Sequence, residues 1–163
     1  MDADLTPSPA KGQIKSKERV SKHGEVVTAE REVNAMLDLV KQETERIESR
    51  FLEPACGDGN FLIEILRRKL AVCEERAKKK QYTQLQYEKN AVWAVSSIYG
   101  IELPPDNAEA CRQRLYKEFC LQYERLYGQQ CKSECCEAVA YLLECNIIMG
   151  DALPYRRVDN PEE

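Results

Sequence analysis

The sequence predicts an α/β fold in which a parallel sheet is flanked by helices. Three observations carry this. Short apolar runs stopped by proline or glycine alternate with segments of helical spacing. Strands that alternate with helices imply right-handed crossovers and therefore parallel pairing. At 163 residues the chain suits one domain with a real core, and no internal repeat divides it.

Residues 1–20 are polar, with Pro7, Pro9, several lysines and an arginine, and read as a disordered, solvated basic arm. The domain is expected over residues 21–163. From Ala29 to about Ile47 the pattern is helical, with Val33, Met36, Leu37 and Val40 at helical spacing. "RFLEP" reads as a strand end stopped by Pro54. Beyond two glycines, Phe61, Leu62, Ile65, Leu66, Leu70 and Cys73 form one apolar stripe of a helix. That helix ends in the solvated run "EERAKKK". Residues 80–90 are polar and read as a loop or a fraying helix.

The first part of "NAVWAVSSIYGIEL" could continue a helix, and its end, "IYGIEL", reads as a strand. Pro104 and Pro105 stop it. "PDNAEACRQRLYKEFCLQYERLYG" is a helix that starts at Pro105 and Asp106 and ends at Gly128. Ala108, Cys111, Leu115 and Phe119 share one of its faces. A further helix is expected over about Ser133 to Glu144. "NIIMGDAL" reads as a buried strand leading into a turn.

A net charge of −4 argues against tight nucleic-acid binding by this chain alone, because phosphate contacts need a basic face. No apolar run approaches the roughly 18 residues of a membrane helix, and no signal-peptide core stands at the start. The chain therefore reads as soluble and cytoplasmic, with no membrane partner. Eight cysteines without a secretory signal are expected to be reduced thiols. "CKSECC" has thiolates that suit zinc, but it lacks a pair of CxxC hooks, and His23 is far away in sequence. Buried or half-buried thiols are the favoured reading.

In such a sheet, ligands sit beyond the carboxyl ends of the strands. Three predicted strand ends carry glycine or acid there: "EPACGDGN", "GIEL" and "GDAL". Gly57 and Gly59 let the backbone turn sharply and approach a ligand. The helix starting near Asn60 aims its free N–H groups at the same place. Taken singly, the G-x-G reads as a turn, Glu102 as a surface acid and Asp151 as a helix cap; their order and context together favour Glu102 taking both hydroxyls of a ribose and Asp151 accepting from an adenine amino group. Glu53 and Asp58 add negative charge, which repels a pyrophosphate and welcomes a cation. A sulfonium nucleoside fits this balance better than a dinucleotide. Leu62 stands where the third glycine of a dinucleotide fingerprint belongs.

These residues resemble a family. "LEPACGDGNFL" is similar to the first cofactor motif of S-adenosylmethionine-dependent DNA adenine methyltransferases. "YGIEL" resembles their second motif and "NIIMGDAL" their third. "KHGEVVTAEREVNAMLDLV" resembles their amino-terminal motif, G-x-x-x-T-P followed by a helix; Thr28 matches its threonine, and Ala29 replaces its proline. With that motif ahead of the other three, the order resembles the gamma arrangement of restriction–modification methylases, over roughly residues 20–153. The resemblance implies a Rossmann-like methyltransferase fold, incomplete at the carboxyl end. It implies S-adenosyl-L-methionine as cofactor, held by Thr28, Glu53, Pro54, Ala55, Gly57, Asp58, Gly59, Asn60, Phe61, Glu102, Asp151 and Ala152. The partner it implies is double-stranded DNA in the complete enzyme. Residues 74–90 look like an insertion between the first and second motifs.

The family's catalytic motif, Asp/Asn-Pro-Pro-Tyr/Phe, accepts hydrogens from the adenine amino group and stacks the flipped base. Here "VDNPEE" begins such a motif at Asn160 and Pro161 and does not complete it. No catalytic residue is assigned, and this chain alone is expected to be inactive. Three explanations stand: a fragment with a missing carboxyl-terminal part, one half of a split enzyme with a partner subunit, or a degenerate relative that only binds cofactor. A different class of protein also fits, a non-catalytic methyltransferase-like interaction subunit in phage defence.

Overall fold

A computed structural model of the chain describes residues 28–80, 82–154 and 156–158. The arm expected over 1–20, together with His23, Asn160 and Pro161, lies outside these residues. In chain order the described elements are α1 (Glu30–Asp38), α2 (Lys41–Thr44), β1 (Phe51–Glu53), α3 (Asn60–Ala77) and α4 (Gln84–Ser96). They are followed by β2 (Ile98–Glu102), α5 (Pro105–Tyr127), a 3-10 turn (Gly128–Gln130), α6 (Ser133–Asn146), β3 (Ile147–Asp151) and β4 (Arg156–Arg157).

The sheet runs β1-β2-β3-β4. The first three strands are parallel, with Glu53 beside Gly100 and Glu102 beside Met149. This is the three-stranded parallel α/β core expected from the sequence, and it is compatible with a Rossmann-like fold. The two-residue β4 pairs antiparallel to β3 and was not anticipated, because two arginines carry no strand pattern. Both crossovers advance the same way across the sheet, so right-handed connections place α3, α4, α5 and α6 on one face. Burial agrees: Ile98, Gly100, Glu102 and Ile147 are buried, whereas Tyr99, Ile101 and Ile148 are only half-buried. On the same outer side Leu52 is 60% exposed.

Two helical expectations are corrected. The single helix expected over Ala29–Ile47 divides into α1 and α2 at Leu39 and Val40, where Val40 leaves helical geometry (φ −122°, ψ 32°). The segment around residues 80–90, expected as a loop or fraying helix, instead begins α4. Thr83 caps it: its hydroxyl accepts from the Gln86 N–H, and the Gln86 side chain reaches back to the Thr83 N–H, so two otherwise unpaired donors are satisfied together. Tyr87, Ala91, Ala94 and Val95 then bury completely.

The core lies between the helices and the covered face of the sheet. Tyr87 stacks on Tyr123 with ring centroids 6.0 Å apart, and Tyr127 and Phe119 close the aromatic group. At its edge Glu88 accepts from Lys132 (2.8 Å), Gln84 (2.9 Å) and the Tyr123 hydroxyl. Burial pushes the Glu88 pKa up, but these donors outweigh it and hold the carboxyl below its usual range.

Within the apolar stripe of α3 sits a lysine that the pattern does not foretell. Lys69 is fully buried, and its ammonium donates to the carbonyls of Ile47 (3.0 Å) and Ser49 and to the Ser97 hydroxyl. It also lies 5.2 Å from the centre of the Phe51 ring. The lysine thereby ties the segments entering β1 and β2 at their amino ends, opposite the carboxyl ends of the strands.

All eight cysteines are free. Seven are buried or half-buried, as expected, and Cys145 is exposed.

Candidate functional site

The carboxyl ends of β1, β2 and β3 all point the same way, so the three motifs meet at one end of the sheet. After Glu53 the chain turns tightly. Cys56 N–H donates to the Ile101 carbonyl (3.1 Å), and Gly59 N–H returns to the Cys56 carbonyl (2.9 Å). Gly57 and Gly59 both have positive φ, 56° and 93°. Gly59 is required twice over, since a Cβ there would lie 2.6 Å from the Cys111 sulfur. Nothing lies within 4 Å of a Cβ built on Gly57, so that backbone faces open space. Gly59 is also the N-cap of α3 and offers no side chain to the first N–H groups of the helix.

Glu102 joins the loop to the second strand. It is only 7% exposed. Its Oε2 accepts the Gly57 N–H at 2.7 Å, and its Oε1 accepts the Asn107 side-chain N–H at 3.2 Å. Asp151 sits two residues beyond the β2–β3 partner of Glu102. One of its oxygens accepts the Leu153 N–H at 3.0 Å and shapes the turn that follows. Ala152 is half-buried in that turn.

The acids are not equally available. Asp58 is matched by Arg114, whose guanidinium lies 3.0 Å from its carboxylate and donates to its carbonyl at 2.8 Å. The same guanidinium bonds Asn60 Oδ1 at 3.0 Å, which clamps the glycine loop to α5. The expected surplus of negative charge is therefore smaller than a count of acids gives. Glu53 is half-buried, and burial raises its pKa, opposed by the Ala55 N–H. Below the loop, a bond with the Cys111 thiol, together with burial, drives the Cys56 thiol far above its usual pKa, so it stays neutral.

Thr28 lies to one side. Its carbonyl accepts from the Asn60 side chain at 3.3 Å. Thr28 and Asn60 line a cavity of about 270 Å³ with Glu30, Ile63, Arg67 and Arg114. This cavity opens between α1, α3 and α5, and its lining does not include Gly57, Glu102 or Asp151. Phe61 is half-buried against the core, and Pro54 and Ala55 are exposed at the rim. Sequence reasoning missed Asn107 and Arg114. The partner of Asn107 is five residues away, on the far side of two prolines, and that of Arg114 is more than fifty residues away.

Among the described residues no group of three or more histidines, cysteines or acids is arranged to hold a metal ion. None of the described helices is long and apolar enough to cross a membrane. Comparison with known protein families, with curated proteins and with solved structures yields no match to this chain.

Proposed function

We propose that the chain binds S-adenosyl-L-methionine in the crevice above β1, β2 and β3, as the cofactor-binding part of an adenine-specific DNA methyltransferase of a restriction–modification system. One observation carries the reading: a single buried carboxylate, Glu102, bridges the glycine loop and the second strand, and the Gly57 backbone beside it is open to a ligand. A buried carboxylate next to an open backbone supports a ribose-binding role for Glu102 and a nucleoside lying along Gly57. In the complete cytoplasmic enzyme, methyl transfer to the adenine amino nitrogen is in-line, from sulfonium to nitrogen, and rests on positioning. The loop and strand ends described here hold the donor. Groups that accept the amino hydrogens and stack the flipped base are supplied from outside them, and double-stranded DNA is bound by the assembled enzyme.

Isothermal titration tests this. S-adenosylmethionine and its demethylated product should bind the folded chain, and NAD should not. A folded chain silent to millimolar S-adenosylmethionine would overturn the reading. The purified chain alone is expected to transfer no methyl group to DNA. A second reading is a non-catalytic interaction subunit in phage defence. The exposed Leu52 on an edge strand favours it. It requires a stable protein partner without cofactor binding.

A further inference from the structure

Glu102 and Asn107 lie at opposite ends of the short connection from β2 to α5. Asn107 is 1% exposed, in the first turn of α5, and its side-chain nitrogen donates to Glu102 Oε1 at 3.2 Å. The other oxygen, Oε2, takes the Gly57 N–H at 2.7 Å. A carboxylate offers about four lone-pair sites, two on each oxygen. One donor on each oxygen fixes the plane of the group and leaves each oxygen with acceptor capacity. Two acceptors held side by side match a pair of vicinal hydroxyls. Because Asn107 is neutral, it orients the carboxylate without cancelling its charge.

We propose that Asn107 is the positioning residue that holds Glu102 as a two-point acceptor for a vicinal diol, making the site selective for ribonucleosides over 2′-deoxyribonucleosides. This rests on the cofactor reading above. Asn107 is 1% exposed and bonds Glu102, so its effect is felt through the orientation of the acid. A merely structural asparagine would lower stability and weaken all ligands alike.

The experiment uses the full chain and two probes, S-adenosylmethionine and its 2′-deoxy analogue, titrated by calorimetry. The wild type should prefer the ribose form by about tenfold, the scale of one hydrogen bond to a charged group. Asn107→Leu, and Asn107→Ala as a second variant, should lose about tenfold for the ribose form and little for the deoxy form, which erases the preference. A folded variant that keeps the full preference overturns the proposal and leaves the cofactor reading standing. If the wild type binds neither probe, the cofactor reading falls and amide exchange decides for Asn107. In that case a Gly57 N–H exchanging about tenfold faster in Asn107→Leu keeps Asn107 as the residue that orients Glu102, and an unchanged rate overturns it.

Discussion

Glycines and acids at strand ends announce themselves in the sequence because their chemistry is local. Gly57, Gly59, Glu102 and Asp151 could be picked out one by one from the places where apolar patterns stop. Their partners could not. Asn107 looks like any residue in a first helical turn, and Arg114 like any charged residue on a solvated face. Only the fold brings them to Glu102 and to the Asp58–Asn60 loop. Tyr87 is the opposite case: it is fully buried, and its hydroxyl finds no partner among the described residues. A buried unpaired hydroxyl costs free energy that a phenylalanine would not. Tyr87→Phe should therefore leave the protein as stable or raise its stability by up to about 1 kcal/mol, read from urea midpoints at constant slope. A loss of more than that would mean the hydroxyl has a partner after all.

Elements follow the same division. β1, β2 and β3 were legible because short apolar runs bounded by Pro or Gly have few other readings. α5 was legible because its start and stop signals agree with its stripe. The start of α4 was not, because its first turn is polar and its stability comes from a two-way cap and from Tyr87 seating on other helices. Lys69 was hidden because helical spacing marks a buried face without saying that a charge can share it. Its three oxygen partners suit an ammonium, yet burial lowers its pKa to about 8, below the ordinary 10.5. The sign follows from linkage: between about 8 and 10.5 the unfolded chain holds this proton more tightly than the folded one. The burial penalty is thus fully present below pH 8 and is relieved as pH rises through that window. Wild type should gain on the order of 1–2 kcal/mol relative to Lys69→Met between pH 7.5 and 9.5, in reductant-containing urea melts. At pH 7.5 the substitution itself should destabilise the fold by roughly 1–3 kcal/mol or more, since it strands buried acceptors. A pH-independent difference between the two proteins would refute the shift.

Among the described residues, the three parallel strands carry their crossover helices on one face. Parallel sheets are ordinarily covered on both faces, because their strands are apolar throughout. Here Leu52 stands 60% exposed on the other side, next to half-buried Tyr99, Ile101 and Ile148, and β1 is the first strand of the sheet order. Among the described residues no helix lies over this edge and face, and an apolar surface of this kind invites association. Sedimentation should show concentration-dependent self-association of the isolated chain, which Leu52→Lys should reduce. Because the side chain is exposed, the same substitution should move folding stability by less than about 0.5 kcal/mol. A chain that stays monomeric at every concentration would show that this face is already covered.

Cys145 is the single exposed thiol, in the last turn of α6 just ahead of β3. At about 3.3 Å per residue, the five-residue strand separates it from the Asp151 end by roughly 16 Å. A maleimide dye should therefore tag this position first, ahead of the half-buried Cys120, Cys131 and Cys136, while the four buried sulfurs stay silent. Attached there, the fluorophore would give a readout for the proposed nucleoside binding at the opposite rim without obstructing it.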